Sequence, residues 1–424
     1  MLLTVAAASL ARCAAVPDAD DYLPLQDSAD PLQRHLAVQE TLGGSPLVGG
    51  NRTALLNDGA QAFPALFRAM ARARSHINLE YFILEDISSG GTTLSELLID
   101  RLRHSVAVNI IYDAFGSRDT PPAFFSALRD AGARIVPFSP LDPATLLKGR
   151  SPNNRDHRKI TVVDGTTGFI GGINLARVYE NPPSDGFPAS GDTDHAWWRD
   201  TSLEIHGPAV AELQKLFFDT WAKQNGPRMQ VADYFPGTPR KGVQSVRIVG
   251  SSPGDQQPLY YLSLEQAIRA ATTRIWLASG FFVPPHQERE DLAKAARRGV
   301  DLRIVAPSHS DVEAAVYAAR ASYGDLLDAG AHIFEMQDAV LHAKIATVDR
   351  VWTAVGSSNL DRRSVVFNNE ADAIVLGSET ADQVEAVLQR DMRLSAPITL
   401  QAWRDRPLGE RIDELEARVW QYWM

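Results

Sequence analysis

Residues 157–164 read His-Arg-Lys-Ile-Thr-Val-Val-Asp, and residues 342–349 read His-Ala-Lys-Ile-Ala-Thr-Val-Asp. They are one pattern, His-x-Lys-x4-Asp, written twice. In a strand, residues i and i+2 face the same way, so each His and Lys project together. Asp164-Gly165 and Asp349-Arg350 then supply turn-forming residues. A second apolar strand follows each turn and ends at Gly171-Gly172-Ile173-Asn174 or Gly356-Ser357-Ser358-Asn359, with each Asn at the same offset from its His. Folding about the turn brings Asn174 back beside His157 and Lys159, and Asn359 beside His342 and Lys344. With 10 His, 42 Lys or Arg and 52 acids among 424 residues, chance gives roughly 0.1 matches to the loosest form of this pattern. Two strict matches at equivalent places are therefore a signal. His35, His76, His104, His195, His206, His286, His309 and His332 lack any such pairing.

The duplication extends outward. Ile77-Asn78-Leu79-Glu80-Tyr81-Phe82, a helical run at 93–102, Val108 to Tyr112 and Ala131-Gly132-Ala133-Arg134-Ile135 precede the first motif. Ile275-Trp276-Leu277 with Phe281-Phe282, a helical run at 290–298, Leu302 to Val305 and Ala329-Gly330-Ala331-His332-Ile333 precede the second. Short β-branched runs alternating with helical periodicity predict α/β units with mainly parallel strands. A period this long marks a duplicated domain rather than a solenoid. The expected division is an N-terminal targeting or extended segment at 1–50, halves at 51–228 and 243–400 joined by a linker at 229–242, and a helical tail at 401–424. After each motif an acid opens another strand: Asp200 in the first half and Glu370 in the second. A carboxylate there suits holding an imidazole by its Nδ1–H.

Composition narrows the function. A formal net charge of −10 and 22% charged residues argue against nucleic acid as the main partner, since gripping a phosphate backbone requires basic surface. The single cysteine, Cys13, permits neither a disulfide framework nor a thiolate metal site. Nothing in the pattern implies a cofactor or a metal. Residues 1–16, MLLTVAAASLARCAAV, are too short to span a bilayer. They read as a signal-peptide core or a lipoprotein-like box around Cys13, or equally as a frayed apolar end. Elsewhere no run of about 18 apolar residues occurs.

The two motifs, with Trp198-Arg199-Asp200-Thr201, Val355 to Ser364 and Asn369-Glu370, resemble the phospholipase D superfamily and within it the cardiolipin synthase branch. The resemblance covers about residues 57–404. It implies two pseudo-twofold-related α/β/α sandwich halves with the active site at their interface. It also implies a phosphatidyltransferase of bacterial phospholipid biosynthesis, acting on phospholipids at a membrane surface through a phosphohistidine. Many members of the branch begin with two transmembrane helices, and this sequence shows none, so it is more similar to the shorter peripheral members. The expected catalytic set is His157, Lys159, Asp164, His342, Lys344 and Asp349, with His157 favoured as nucleophile and His342 as acid/base. Asn174, Asn359, Asp200, Glu370 and Ser357 are expected to bind phosphate or orient the histidines. Asp164 and Asp349, lying at turns, serve equally well as structural anchors. The spacing leaves open whether the accepting alcohol is water or a lipid hydroxyl, and so whether the chain is a hydrolase or a transferase. A catalytically silent lipid-binding member is the third reading. The aromatic end Trp420-Gln421-Tyr422-Trp423 suits a lipid interface or a packed helix, and the Gly- and Pro-rich stretch 186–198 suits a loop over the cleft or plain surface.

Overall fold

The computed structural model describes residues 28–140, 153–181, 187–188, 190–255 and 257–407. The signal-like stretch 1–16, Cys13 and the aromatic end 420–423 lie outside them.

The two motif hairpins form as the turn chemistry predicts. Lys159–Val163 pairs antiparallel with Thr167–Gly171, and Lys344–Val348 with Trp352–Gly356. Asp164 and Asp349 take positive φ, 52° and 50°, which short polar side chains tolerate. These hairpins lie inside one mixed sheet rather than the mainly parallel one expected. Parallel pairing holds in the runs His76–Tyr81, Ala107–Asp113, Arg134–Phe138 and Arg274–Ser279, Asp301–Pro307, His332–Met336. The remaining pairs of the sheet's main path are antiparallel, the two motif hairpins because a short turn cannot return a chain to a parallel neighbour.

Strand order carries the duplication. From the outside in, the first half runs Arg134–Phe138, Ala107–Asp113, His76–Tyr81, Lys159–Val163, Thr167–Gly171, Thr201–His206, Leu47–Asn57. The second half repeats it as His332–Met336, Asp301–Pro307, Arg274–Ser279, Lys344–Val348, Trp352–Gly356, Asn368–Leu376, Gln244–Ser251. The innermost strands of the two halves pair antiparallel with each other, Leu47 opposite Arg247. One sheet therefore runs through both halves.

The core is shared in the same way. Ile77, Leu79, Val108 and Ile110 belong to the first half's own cluster, and Ile275, Leu277, Leu302 and Ile304 to the second's. A third cluster joins Ile160, Val162 and Leu203 to Val246, Ile345 and Val355. Each such side chain stabilises the fold by roughly 1.5–3 kcal/mol on burial, and the third cluster ties the halves together.

Both ends of the described chain pack into the fold. The segment 1–50 is not extended throughout: Pro31–Thr41 is a helix started by Asp30, whose carboxylate accepts from Leu32 N at 3.0 Å. Its Arg34 reaches Asp349 and Thr272, and its Gln39 accepts from Ser263 Oγ, so it belongs to the second half's packing. In the segment expected as a tail, Leu400–Arg404 is a helix whose Trp403 is buried beside Tyr323, ring centroids 5.3 Å apart. Among the described residues, no helix is long and apolar enough to cross a membrane.

Candidate active site

The residues just ahead of each motif histidine cross to the other half. Arg155–Asp156 pairs parallel with Asn368–Asn369, and Ala339–Leu341 pairs parallel with Trp197–Arg199. His157 N donates to Asn369 O at 2.9 Å, and His342 N donates to Arg199 O at 2.8 Å. The residue after each acceptor is an acid. Glu370 Oε2 consequently lies 2.9 Å from His157 Nδ1, and Asp200 Oδ2 lies 2.7 Å from His342 Nδ1. Each half orients the other's histidine. An Nδ1–H donated to carboxylate leaves Nε2 as the reactive nitrogen. The two rings are 6.4 Å apart between centroids and inclined at 68°, so they flank a single site.

Lys159 and Lys344 lie in the same cleft, each donating from Nζ to the carbonyl of its own motif histidine. Burial pulls Lys159 down to about 7, against Glu370 and helped by Lys344. Burial likewise pulls Lys344 down to about 8, against Asp200 and Glu370. His157 falls to about 4, through burial first, with Glu370 opposing and both lysines adding to the fall. His342 is also lowered by burial and by Lys344. Burial alone would raise Asp200 and Glu370; their histidine partners and the lysines hold both below the usual carboxylate range. Cationic and imidazole nitrogens thus crowd a gap that a phosphodiester anion would relieve.

The two acids are supported differently. Ser357 Oγ donates to Glu370 Oε2 at 2.6 Å, and Asn368 Nδ2 to Oε1 at 3.0 Å. The matching position in the first half is Gly172, where a Cβ would stand 2.1 Å from Asp200 Oδ1. Only glycine fits there, and the hydroxyl comes instead from Tyr179, 3.1 Å from Asp200 Oδ2 and 3.0 Å from His342 Nδ1. Tyr179 carries no motif signal in the sequence; the Gly172/Ser357 mismatch between repeats shows only that a hydroxyl must come from elsewhere. Trp198, 5.4 Å from the His342 ring, and Phe82, 5.2 Å from that of His157, complete the walls.

Arg158, the variable residue of the first motif, likewise carries no motif signal. Its buried guanidinium donates to the backbone carbonyls of Glu370 (3.0 Å) and Ser251 (2.9 Å), tying the halves together. The repeat hid it, because Ala343 occupies the equivalent place.

Asn174 and Asn359 are buried. Asn174 Oδ1 accepts from Ile83 N at 3.1 Å, and its side chain meets the Tyr179 hydroxyl. Asn359 Oδ1 is buried and finds no hydrogen-bond partner among the described residues. Asp164 and Asp349, expected among the catalytic residues, stand elsewhere. Each follows the far end of a five-residue strand that begins at the motif lysine, roughly 16 Å away at about 3.3 Å per residue. Asp164 accepts from the backbone N–H of Arg74, Ser75 and His76, and Asp349 from those of Thr272, Thr273 and Arg274. They anchor strand entries, the alternative that turn chemistry offered. Among the described residues, no group of three or more His, Cys, Asp or Glu side chains is placed to hold a metal ion.

Within the stretch 186–198, Phe187 stacks on His309 of the second half, ring centroids 4.0 Å apart and 10° from parallel. This places it as a bridge between the halves.

The family model for the cardiolipin synthase PLD-like domain matches residues 264–392. The cardiolipin synthase of Geobacillus sp. (strain WCH70) is 32% identical over 407 residues, covering 94% of this chain and 77% of that protein. Cardiolipin synthase A of Pseudomonas syringae pv. syringae (strain B728a) is 35% identical over 389 residues, 91% of this chain and 77% of that one. Among solved structures, phosphatidylserine synthase of Haemophilus influenzae Rd KW20 superposes with a TM-score of 0.69 at 12% identity, covering 91% of this chain and 97% of that chain. That likeness is one of fold.

Proposed function

From the premise that the chain belongs to the cardiolipin synthase family of phospholipase D-like phosphatidyltransferases, we propose a two-histidine transfer reaction. His157 Nε2 attacks the phosphorus of a phosphatidylglycerol-type donor. The bond from phosphorus to the leaving alcohol breaks, and protonated His342 gives that oxygen its proton. The phosphatidyl group then rests on His157 Nε2. The hydroxyl of a second phosphatidylglycerol attacks phosphorus, His342 takes its proton back, and the P–N bond breaks to restore both imidazoles. Lys159 and Lys344 carry the charge on the non-bridging oxygens through both steps.

The observation that carries this reading is the pair of imidazoles, each held by a carboxylate of the opposite half, facing each other across a lysine-lined gap. His157, held neutral by burial at ordinary pH, is suited to attack. His342 needs a proton before it can act as acid, and the arriving phosphate anion supplies the field that favours one. Residues 51–228 and 243–400 act as the two catalytic halves, with 229–242 between them. The protein works as a peripheral enzyme at the bacterial membrane surface, on phospholipid rather than nucleic acid.

The test is mass spectrometry of lipids after incubation with phosphatidylglycerol liposomes. Cardiolipin with stoichiometric glycerol is expected. Phosphatidic acid as the sole product would show that water is the acceptor and overturn transfer.

A further inference from the structure

The exposed large apolar side chains among the described residues are Phe115, Val231, Val243 and Val312, and their placement divides them. Phe115 follows the strand Ala107–Asp113 and Val312 follows Asp301–Pro307, so they occupy corresponding loops of the two halves. Both loops leave the sheet at its catalytic edge. The neighbouring strand of the first half ends at Tyr81 opposite Lys159, and that of the second at Ser279 opposite Lys344. Val243 and Val231 sit at the other edge. Val243 precedes an eight-residue strand whose far end, Ser251, pairs with Glu370, placing it roughly 26 Å from the site at about 3.3 Å per residue. Val231 opens the turn whose Tyr234 packs on His76, at the start of a strand running toward Lys159.

The contacts of the two mouth loops connect them to the site without placing them in it. Gly116 lies so close to Phe82 that a Cβ would meet its carbonyl at 2.4 Å, and Phe82 edges onto His157. Asp311, next to Val312, acts electrostatically on Lys344 and Tyr179. Arg118 lies with its guanidinium 4.7 Å from the centre of the Phe115 ring. The arginine, whose Nε is 3.4 Å from Asp119 Oδ2, gives the ring a polar rim, so the loop presents an apolar body with a polar edge, the pairing that settles at the boundary between headgroups and acyl chains.

We propose that Phe115 and Val312 seat the catalytic mouth on the surface of a phospholipid bilayer, one loop from each half entering the headgroup–acyl boundary on either side of the gap. The proposal rests on the phosphatidyltransferase reading, since it is the lipid nature of the substrate that requires the mouth to face a bilayer. Two-point contact across the pseudo-twofold sets the gap squarely over one headgroup. A donor or acceptor lipid then reaches the histidines by rising a short way out of the leaflet, its acyl chains still in contact with the membrane. Seating by these two side chains is apolar, so it is less sensitive to salt than binding through a basic patch.

The experiment compares wild-type protein, the double variant Phe115→Ser/Val312→Ser, and the opposite-edge control Val231→Ser/Val243→Ser. Cosedimentation with phosphatidylglycerol/phosphatidylcholine vesicles is measured beside turnover of dihexanoyl-phosphatidylglycerol below its micelle concentration. The mouth variant is expected to bind vesicles about 10-fold more weakly or worse, in proportion to the apolar surface it no longer buries. Its turnover of the monomeric substrate should match wild type, which also shows that it folds. The control should keep both. Full vesicle binding by the mouth variant, or an equal loss in the control, overturns the proposal. So does a change in self-association of the mouth variant with vesicle affinity intact, which would assign the face to a second copy of the chain. A direct reading comes from Phe115→Trp and Val243→Trp with vesicles carrying brominated acyl chains. Quenching of the added indole is expected at 115 and not at 243. Failure of the phosphatidyltransferase reading shows separately, as wild type that turns over no monomeric lipid.

Discussion

His157 Nδ1 lies 2.9 Å from Glu370 Oε2, so the histidine of the first motif is oriented by a carboxylate of the second half. His342 and Asp200 make the reciprocal pair at 2.7 Å. Neither half by itself supplies a motif histidine together with the carboxylate that holds it, so the proposed chemistry needs the interface.

Glu370→Gln should therefore impair the step His157 performs, although the two residues lie in different halves. An amide cannot accept from Nδ1–H while stabilising positive charge on the ring, and loss of such a carboxylate costs up to about 10⁴-fold in rate. Asp200→Asn should cost a comparable factor through His342. The two are separated with a phosphatidyl ester of p-nitrophenol, whose leaving group needs no proton. Asp200→Asn should regain much of its adduct-forming rate and Glu370→Gln should not. Equal rescue of both would contradict the crossed assignment.

Binding of a phosphodiester should take up protons. Lys159 is lowered to about 7 and Lys344 to about 8, chiefly by burial. An anion between them favours both charged forms, so near pH 7.5 about one proton should be absorbed per anion bound. Affinity should accordingly weaken as pH rises through 7 to 9. Calorimetry with dimethyl phosphate in buffers of different ionisation enthalpy reads the uptake directly. Proton release, or affinity that strengthens with pH, would show that the lysines are not the anion's partners.

Asp349→Ala should cost stability and spare chemistry. Its carboxylate takes backbone N–H bonds from Thr272, Thr273 and Arg274 and lies beside Arg34. Leaving such donors unpaired costs about 1–3 kcal/mol each where they are buried, so a loss of about 3 kcal/mol in urea unfolding is expected. Burial alone would raise this carboxyl, but His35, 3.6 Å away, and the bonds from Thr273 and Thr272 hold it far below the usual range. A depressed carboxyl contributes stability above its unfolded value and loses it as pH falls through the folded one. The wild-type excess over Asp349→Ala should thus be full above about pH 5 and shrink on further acidification. Unchanged stability with a thousandfold lower kcat would return Asp349 to the catalytic set.

The duplicated motif made the hairpins, the repeat and the pairing of each His with its Lys readable, because each follows from strand alternation and turn residues within one short segment. Which acid serves which histidine was not readable. It depends on Arg155–Asp156 and Ala339–Leu341 pairing with strands more than a hundred residues away, and no local pattern encodes that register. The expectation of mainly parallel strands failed for a related reason: the βα units are parallel, but the hairpins and the join between halves are antiparallel and make up the centre of the sheet. Tyr179 and Arg158 escaped notice because a search for repeats finds what the halves share, and these two residues are where they differ.

The division of labour between the histidines gives the last prediction. If His157 is the nucleophile, His157→Ala forms no phosphoenzyme and loses essentially all transfer. His342→Ala keeps the attacking imidazole, still held by Glu370, and lacks only the proton donor. General acid help is worth about 10²–10⁴-fold, so an activated phosphatidyl ester of p-nitrophenol should recover most of adduct formation. Acid-quench mass spectrometry on both variants reads the outcome as a phosphatidyl group on residue 157. The adduct should accumulate in His342→Ala, because the same missing imidazole is needed to deprotonate the incoming hydroxyl. Adduct on His342 in the His157→Ala variant, with none in His342→Ala, would exchange the roles. The site would allow that exchange, since each imidazole presents Nε2 to the same gap from a carboxylate-held Nδ1. The supports of the two carboxylates differ, Ser357 and Asn368 on one side and Tyr179 on the other. Replacing Tyr179 by Phe should therefore slow the proton-transfer role alone, detectable with the natural lipid and absent with the activated ester.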